Sequence, residues 1–500
     1  MNGICYLAGA GPGDPGLVTL KARKCIELAD VLVYDALSSA ELLTWVKPTC
    51  EKIDVGKRAA HHKLPQEEIN ALLVAKVREG KVVVRLKGGD PLIFGRGGEE
   101  AAVLAAAGLK FEIIPGISSA FAGPAYAGIP LTHRDYGSQL TVFSGHESDD
   151  KKKSDMDYAQ LAKAPGTKVF LMGVSSLREI ASKLVENGAE PTTPIALTRW
   201  ATTGRQKTIT GTLATIADIA ETEQFKAPAV GVIGNIIKEM KNIEWYENRP
   251  LKGKRIVVTR SQEQAPELVN RLTELGADVI ELPVLKICDP IDKREFAVSV
   301  ANVHTYDWLI FSSTNGVRRF FDAFFATYKD ARSIGGVRIA AVGPGTQKAI
   351  ESYRFAVDLV PERHIAEGLL EAFQNEHGID SQTILWVRPE NARPVLAEGL
   401  TEQRAIVDEC IAYRIEAEKD DPTGAAERLA DGGADMITFT SSSTAQYFHD
   451  LELPWPEGCK AVSIGPITTA KLKGLGRDEI IEAEDHSIDG LVTAILEELS

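Results

Sequence analysis

Cysteine is scarce in this 500-residue chain, and long apolar runs are missing. The six cysteines are scattered and none forms a C-x-x-C pair. This spacing argues against a disulfide framework and a zinc site, so we predict no bound metal and a reducing, cytoplasmic location. No stretch of about 18 apolar residues occurs, and the first residues, MNGICYLAGAGPGDPG, lack a basic leader. The sequence therefore predicts neither a membrane span nor a signal peptide.

Positive charge is in the minority. The chain has 56 lysines and arginines against 70 aspartates and glutamates, which gives a net charge of −14. This balance argues against general binding of nucleic acid or of anionic membranes. Hydrophobic residues make up 44% of the chain and charged residues 25%, as in ordinary globular proteins. At roughly 150 residues per domain, the length suggests about three domains.

Strand and helix patterns alternate from Gly3 to about Trp245. Apolar runs such as ICYLAGA, KVVVRLKGG and KVFLMGV predict strands, while LVTLKARKCIELA (17–29) and PQEEINALLVAKVREG predict helices. This alternation predicts an α/β fold, and several of its strands end in glycine-rich loops, where such sheets bind ligands. The pattern is interrupted by proline and glycine near 247–253, where we place a domain boundary.

The second block contains an internal duplication. The matched segments are RIVVTR (255–260) with TILWVR (383–388), DWLIFSSTNGVRRFF (307–321) with DMITFTSSSTAQYFH (435–449), and RIAAVGPGTQKAI (338–350) with KAVSIGPITTAKL (460–472). We predict two similar α/β lobes with a cleft between them. The SSTNG and SSSTA segments place hydroxyls at helix starts, where they either cap the helix or bind an anion. Their occurrence as a matched pair favours a ligand cleft.

The segment GAGPGDPG (9–16) follows a strand but fits a dinucleotide-binding motif poorly. Asp14 replaces the third glycine of G-x-G-x-x-G, and its carboxylate repels a pyrophosphate. Pro12 and Pro15 remove two backbone donors. A nicotinamide dehydrogenase is therefore disfavoured, whereas a phosphate-free nucleoside such as S-adenosylmethionine stays possible.

Two further loops carry candidate ligand groups. In RLKGGDPLIFGRGGEE (85–100), the paired glycines allow close approach to a ligand, and Asp90 either binds ribose hydroxyls or an ammonium, or caps an ordinary tight turn. In PGISSAFAGPAYAGIPLTHRD (115–135), two serines cap a helix or bind a ligand, and His133-Arg134 offers positive charge.

These segments together resemble a known family. GAGPGDPGLVTLKA, VYDAL, VGKRA, RLKGGDPLIFGRGGEE, AYAGIPLTHRDYG, VFLMG, LTRWATTGRQKTITGTL and APAVGVIG resemble, in order, the signatures of uroporphyrinogen-III C-methyltransferases over residues 3–246. The second block resembles uroporphyrinogen-III synthases over 253–500 through VVTR, FSSTNGV, AVGPGT, VPERHIAEGLL, AYR and FTSSSTA. The whole is similar to the fused enzymes of precorrin-2 synthesis.

The resemblance implies a two-lobed tetrapyrrole methylase domain (1–246) followed by a two-lobed synthase domain. The synthase lobes would comprise 253–287 plus 414–500, and 288–413. The implied activities are closure of hydroxymethylbilane to uroporphyrinogen III with D-ring inversion, and methylation at C2 and C7 by S-adenosylmethionine, toward sirohaem or cobalamin. No cofactor is implied for the synthase, and a homodimer through the methylase is implied. The alternative is a methylase for another tetrapyrrole, joined to a non-catalytic polycarboxylate-binding module.

The resemblance also implies particular site residues. Cofactor contacts fall on Pro12, Gly88, Gly89, Asp90, Ile93, Ser118, Ser119, Met172, Ala201, Pro228 and Ala229. Asp35 and Lys57 match positions proposed as proton acceptor and donor, and Tyr413 matches a recurrent synthase tyrosine. Taken alone, Asp35 is more typical of a cap or hydrogen-bond acceptor, and Lys57 of a solvated cation or a partner of a substrate carboxylate. Tyr413 is equally typical of a core or rim tyrosine.

The implied substrate is an octacarboxylate, so a chain this acidic has to concentrate its cations in the cleft. The substrate-binding candidates are Arg58, His61, Arg85, Lys87, Arg96, His133 and Arg134 in the first block, and Thr314, Asn315, Ser441 and Ser442 in the second.

Overall fold

The computed structural model describes residues 3–35, 39–56, 64–146 and 156–499. Within these residues the chain forms four five-stranded sheets with helices packed on them, two sheets in the N-terminal block and two in the C-terminal block. The predicted α/β fold class is confirmed. No helix of the described residues is both long and apolar enough to cross a bilayer.

The N-terminal block has one parallel and one mixed sheet. Its first sheet has the order β3-β2-β4-β1-β5 with all neighbours parallel, and its second has the order β6-β7-β10-β8-β9 with antiparallel pairing around β10 and β8. The strands are β1 (Ile4–Gly9), β2 (Val31–Tyr34), β3 (Glu51–Asp54), β4 (Val82–Lys87), β5 (Lys110–Ile114), β6 (Leu140–Ser144), β7 (Thr167–Leu171), β8 (Pro194–Arg199), β9 (Lys207–Thr212) and β10 (Ala229–Ile233).

The C-terminal block consists of two lobes, each with one sheet. Lobe I has the sheet order β12-β11-β18-β19-β20, and lobe II has β13-β17-β16-β14-β15. The strands are β11 (Arg255–Val258), β12 (Asp278–Glu281), β13 (Leu285–Cys288), β14 (Trp308–Phe311), β15 (Arg338–Ala341), β16 (Thr383–Pro389), β17 (Ile406–Ala417), β18 (Met436–Phe439), β19 (Lys460–Ser463) and β20 (Ile480–Glu482).

The duplication seen in the sequence is confirmed by the strand order. The series β12-β11-β18-β19 in lobe I corresponds to β17-β16-β14-β15 in lobe II, and each matched strand has the same neighbours. Lobe I is formed from both ends of the block, with lobe II inserted between β12 and β18. Strand β13 pairs with β17 along Leu285–Cys288 and Arg414–Ala417, so these segments lie in lobe II, whereas the sequence assigned most of them to lobe I.

Helices connect the strands and cover the sheets. They are α1 (Leu20–Leu28), α2 (Gln66–Arg78), α3 (Gly97–Ala106), α4 (Ser119–Tyr126), α5 (Tyr158–Lys163), α6 (Leu177–Glu186), α7 (Ile216–Thr222), α8 (Met240–Ile243), α9 (Ala265–Glu274), α10 (Lys293–Ala301), α11 (Thr314–Thr327), α12 (Pro344–Ser352), α13 (Ala366–Ala372), α14 (Val395–Glu402), α15 (Ala425–Gly432), α16 (Ser442–Asp450), α17 (Pro466–Gly474) and α18 (Ile488–Leu499).

Apolar residues at helical spacing explain how these helices pack. Helix α9 buries Ala265, Leu268, Val269 and Leu272, which lie on one face because residues three and four apart share a side of a helix. Helix α11 buries three phenylalanines of VRRFFDAFF against Phe311 of β14. Each lobe thus closes a core between one sheet and its helices.

Some boundaries differ from the sequence expectation. Helix α1 begins at Leu20 rather than near residue 17, because the Thr19 hydroxyl caps it by accepting the Ala22 N–H at 3.2 Å. Strands β3 (EKID) and β9 (KTITGT) were not predicted as strands. Both are short edge strands with few apolar residues, so they carry little periodic signal.

The segment between the blocks is ordered and packs on both. Tyr246 is 2% exposed and Leu251 is fully buried, the latter in the core cluster of lobe I with Ile256 and Leu268. On the N-terminal side, the Trp245 Nε1–H donates to the Ala125 carbonyl at 3.0 Å. Residues 245–251 therefore attach lobe I to the N-terminal block by direct packing.

All six cysteines are unpaired. Cys5, Cys25, Cys410 and Cys459 are buried as expected of small core residues, whereas Cys50 and Cys288 are partly exposed.

Candidate functional site

Three loops meet backbone to backbone at the carboxyl edge of the first sheet. The Gly11 and Gly89 backbones exchange hydrogen bonds at 3.2 and 2.7 Å. A Cβ on Gly116 would lie 2.2 Å from the Gly89 carbonyl oxygen, and one on Gly9 would lie 2.5 Å from the Gly116 Cα. These contacts require glycine at positions 9 and 116, so the loops after β1, β4 and β5 form one surface.

Asp90 joins two of these loops. Its Oδ1 accepts the Leu92 N–H at 2.8 Å, and its Oδ2 accepts the Gly116 N–H at 3.0 Å. Ser118 caps α4, since its hydroxyl accepts the Ala120 N–H at 3.3 Å, and Ser119 is the first residue of that helix. The capping alternatives stated for Asp90 and Ser118 are therefore realised, and each side chain keeps further lone pairs.

A second set of loops meets at one edge of the second sheet. Strand β10 is antiparallel to both β7 and β8, and its first residues pair with the last residues of those strands, as Val230 with Leu171 and Ala229 with Arg199. The residues that follow β7 and β8 or precede β10 are therefore neighbours, and they include Met172, Ala201 and Pro228.

The backbone of both sets of loops is strained. Five residues have φ between +46° and +70°, a backbone region that residues other than glycine rarely adopt: Phe94, Arg96, Met172, Trp200 and Thr202. Such residues persist where the surrounding structure fixes them, and they concentrate at ligand sites. All five lie in the loops that surround one cleft.

Direct contacts hold the two sets of loops together. The Asp14 N–H donates to Thr202 Oγ1 at 3.0 Å, and the Tyr126 hydroxyl donates to Asp14 Oδ2 at 2.7 Å. Burial and the Asp14 carboxylate raise the pKa of Tyr126, so its hydroxyl stays protonated. In α4, a Cβ on Gly123 would lie 2.4 Å from Val230 Cγ1, so this helix packs closely on β10. These contacts place the loops that carry the cofactor candidates of the first sheet against those of the second sheet, with a cleft between them.

The cleft exposes apolar side chains. Ile93 is 42% exposed, Phe121 47% and Met172 48%, and Phe94 and Ile117 are similarly open. Met172 therefore does not belong to a hydrophobic core. Exposed apolar groups that surround polar backbone are typical of a binding site.

Asp35 lies above a buried cluster of charges. Its Oδ2 is 3.5 Å from Arg85 Nη2, and Arg85 in turn contacts Glu100 through Nε at 3.2 Å. Lys87 Nζ contacts the same Glu100 oxygen at 2.9 Å. Burial and the neighbouring Arg85 charge lower the pKa of Lys87 despite its contact with Glu100.

This cluster corrects one expectation. Arg85 and Lys87 were expected to offer their charges to substrate carboxylates, but they are 3% and 4% exposed and are paired with Glu100, which is itself fully buried. An inward-facing strand position, rather than the loop that follows it, determines where these side chains point.

The other cation candidates differ in position. Arg96 is exposed at the cleft and donates to both Glu99 oxygens at 2.8 and 2.7 Å. The turn that contains His133 and Arg134 packs through Gly137 against Gly166, just before β7, whereas Met172 follows β7. His133 and Arg134 are therefore separated from the cleft edge by the length of β7, roughly 16 Å. Lys57, Arg58 and His61 lie outside the described residues.

In the C-terminal block, Tyr413 lies in strand β17 of lobe II. It is 3% exposed, and its hydroxyl is 2.9 Å from Ser313 Oγ at the start of α11. Burial raises the pKa of Tyr413. The phenol is therefore neutral at ordinary pH and is a possible proton donor.

The hydroxyls at the two matched helix starts are caps. Ser313 accepts the Gly316 N–H at 3.1 Å, and Ser441 forms a capping box with Thr444. Thr314 and Ser442 are the first residues of α11 and α16. Asn315 Oδ1 accepts the Gln264 Nε2–H at 2.9 Å, a contact that joins lobe II to lobe I. Asn315, Ser313 and Tyr413 thus lie together, and Gln264 closes the cleft above them.

Sequence reasoning missed several residues of these sites. Glu100 and Tyr126 lie within quoted signatures, but nothing in their spacing marks them as partners of Arg85 and Asp14. Ser313 and Arg260 also belong to quoted segments. For Arg260 a signal existed, because the duplication matches it with Arg388.

Two families match the chain in succession. The family described as "Tetrapyrrole (Corrin/Porphyrin) Methylases" matches residues 5–217, and the family described as "Uroporphyrinogen-III synthase HemD" matches residues 251–493. A relative from Ruminiclostridium josui, "Porphyrin biosynthesis protein HemD", is 34% identical over 99% of this chain and 98% of its own length. The chain belongs to the family of fused uroporphyrinogen-III methyltransferase/synthase proteins.

Other relatives match the methyltransferase half of this fused protein. The "S-adenosyl-L-methionine-dependent uroporphyrinogen III methyltransferase" of Methanosarcina barkeri is 52% identical over 47% of this chain and 92% of its own. A solved uroporphyrin-III C-methyltransferase from Thermus thermophilus, complexed with S-adenosyl homocysteine, is 36% identical over 47% of this chain and 98% of its own, with a TM-score of 0.41.

Proposed function

We propose that the chain catalyses two consecutive reactions of tetrapyrrole synthesis. The C-terminal block closes hydroxymethylbilane to uroporphyrinogen III with inversion of ring D. The N-terminal block methylates that product at C2 and C7, which gives precorrin-2. The match to the porphyrin biosynthesis protein carries this proposal, because 34% identity extends over both blocks.

S-adenosylmethionine fits the N-terminal cleft. When bound, it supplies a methyl group that its sulfonium already activates. The residues that would hold it are Pro12, Gly88, Gly89, Asp90, Ile93, Ser118, Ser119, Met172, Ala201, Pro228 and Ala229. The glycine contacts and the exposed apolar side chains suit a compact nucleoside, and the dependence named for the Methanosarcina relative supports this choice. For the synthase we propose no cofactor.

Alignment and exclusion of water are the main tasks of the methylase residues. The exposed apolar groups exclude water from the reacting pyrrole carbon when the cleft is filled. Asp35 is the proposed proton acceptor, and Arg85 orients its carboxylate from the buried side at 3.5 Å. Lys57 is the proposed donor, and Arg96, Arg58 and His61 are the proposed partners of substrate carboxylates.

The synthase has to control geometry more than lower a barrier, because the unaided bilane closes to the wrong isomer. We assign Tyr413 as the donor that assists departure of the hydroxyl as water, with Ser313 fixing its orientation at 2.9 Å. Thr314, Asn315, Ser441 and Ser442 surround the cleft as hydrogen-bonding partners of acetate and propionate groups.

Two further proposals concern assembly and location. Leu92 of the methylase block is 51% exposed, which supports association of two such blocks in a homodimer. The unpaired cysteines support a reducing, cytoplasmic location.

One coupled assay tests both activities. The chain is given hydroxymethylbilane with or without S-adenosylmethionine, and products are analysed by mass and isomer. We expect uroporphyrinogen III without the cofactor and a dimethylated product with it. A Gly116→Ala variant, whose new Cβ would collide with the Gly89 carbonyl, should lose methylation and keep ring closure. Formation of isomer I alone would contradict the synthase assignment, and failure to methylate supplied isomer III would contradict the methylase assignment.

A further inference from the structure

Arg260 is a half-buried arginine that forms no ion pair with any described residue, although the Glu267 carboxylate of α9 is near enough to act on its charge. Its Nε and Nη1 are inaccessible to solvent and have no hydrogen-bond acceptor among the described residues. Only a long contact of 3.4 Å joins its Nη2 to Gln264 Oε1. A guanidinium desolvated in this way is costly unless a partner satisfies its N–H groups.

Arg260 lies at the cleft between the lobes. It follows β11, the strand between β12 and β18, at the edge where α9 begins. Gln264, which contacts it, also donates to Asn315 of lobe II. The next residue, Ser261, is 2% exposed, and its hydroxyl likewise has no partner in the described part of the chain. Donors of two adjacent residues are thus left unsatisfied at one point of the cleft.

The duplication supplies a direct comparison. The counterpart of Arg260 is Arg388, which lies near the end of the matched strand β16. Arg388 forms an ion pair with Glu409, and its Nη1 donates to the carbonyls of Pro389 and Glu390 at 3.0 and 2.9 Å. The arginine of lobe II therefore has a carboxylate and two carbonyls of its own chain as partners, although its Nε, like that of Arg260, forms no hydrogen bond among the described residues.

The carboxylate at the matching position of lobe I, Glu281, does not pair with Arg260. Glu409 lies opposite Trp386 in the β16–β17 pairing, and Glu281 lies opposite the matched Val258 in the β11–β12 pairing. Glu281 forms no ion pair with Arg260 among the described residues. Lobe I thus has the same two charged residues in register, but its arginine lacks the carboxylate.

We propose that Arg260 binds a side-chain carboxylate of the linear tetrapyrrole substrate, in the role that Glu409 has for Arg388. Ser261 donates a second hydrogen bond to the same group. Since the N–H groups are covered while Gln264 contacts Asn315, the carboxylate enters when the lobes separate. This inference rests on the proposed synthase activity and adds one anchoring residue to it.

Arg260→Gln in the full chain tests this proposal, with S-adenosylmethionine omitted. Loss of a bidentate charged contact should raise the KM for hydroxymethylbilane about 10- to 100-fold, with a smaller change in kcat. More isomer I should appear, because unbound bilane closes spontaneously. Methylation of supplied uroporphyrinogen III should be unchanged. Arg260→Lys should give an intermediate KM. Arg271→Gln, on the outer face of α9, removes a matched charge and should leave KM unchanged.

Thermal unfolding of the ligand-free chain separates binding from a structural role. Arg260→Gln should keep or raise the Tm, because it removes an unsatisfied buried charge, whereas Arg388→Gln should lower it. An unchanged KM in an active Arg260→Gln chain, or a lowered Tm with no change in KM, overturns the inference alone. A wild-type chain that forms only isomer I overturns the proposed function and this inference together.

Discussion

The two lobes of the synthase block share one strand order and differ in how they treat the same pair of charges. In lobe II, Arg388 and Glu409 form an ion pair. In lobe I, the matched Arg260 contacts Gln264 and forms no ion pair among the described residues, and the matched Glu281 is half-buried near Glu41 of the methylase block and Arg428. Burial and the Glu41 charge raise the pKa of Glu281 to about 7.

The two lobes share their strands and apolar cores and differ in the polar residues at their strand ends. The strands and the apolar residues that fill each core are retained, because packing constrains them in both copies. The polar residues at the strand ends have changed partners, since those ends face the cleft in one case and another block in the other. In lobe I the two matched charged residues therefore do not pair with each other.

We expect the two lobes to differ most when the matched carboxylates, Glu409 and Glu281, are neutralised. Glu409→Gln removes the partner of Arg388 and should destabilise the chain by about 1 kcal/mol, because the Glu409 side chain is 40% exposed and water screens the pair. Glu281→Gln should have the opposite sign and stabilise it by about 2 kcal/mol at pH 8, because the native carboxylate is ionised there at a cost. Chemical unfolding of both variants measures the difference.

The pH dependence of the Glu281 effect follows from its pKa. The folded value of about 7 lies above the model-peptide value of 4.5, so the wild-type chain gains stability from this group as pH falls through 7. The advantage of Glu281→Gln should therefore shrink below pH 7 and vanish near pH 4. An advantage independent of pH would show that Glu281 is not the titrating group.

A second test concerns the Tyr413 phenol of lobe II. Tyr413→Phe removes the proposed donor and its contact with Ser313 and should lower the synthase kcat roughly 10-fold. Tyr328→Phe is the matched control, because its hydroxyl also donates within lobe II, to the Ala301 carbonyl at 2.6 Å. Equal activity losses in both variants would point to stability rather than chemistry.

The smallest expected effect separates the two matched caps. Ser313→Ala and Ser441→Ala each remove a helix cap and should each cost about 1 kcal/mol of stability. Only Ser313 contacts Tyr413, so only Ser313→Ala should also reduce the rate of isomer-III formation. If both variants kept full activity, Ser313 would have no role in orienting the phenol.

Much of this architecture could be predicted from the sequence. Long glycine-rich signatures identified the methylase because close backbone contacts, such as Gly9 with Gly116, permit few substitutions. The duplication predicted two similar lobes because it repeats whole strand–helix units. Strands β3 and β9 escaped prediction because short polar edge strands lack periodicity.

Partnership between distant side chains was not predictable in the same way. The positions of Arg85 and Lys87 depend on Glu100, which α3 brings beneath β4, and no local pattern encodes that contact. Likewise the duplication indicates that Arg260 and Arg388 are equivalent, but only the fold shows which of them pairs with a carboxylate.

Leu251 has a consequence for how the fused gene could be divided. Its side chain belongs to the core of lobe I, yet it precedes the first strand of that lobe. A division of the gene just before β11 would remove this leucine and leave a cavity among Ile256 and Leu268, at a cost of about 2–5 kcal/mol. A division between Tyr246 and Leu251 would instead keep each core whole. Independent halves of this protein, made in the laboratory or by evolution, are expected to separate within those four residues, 247–250.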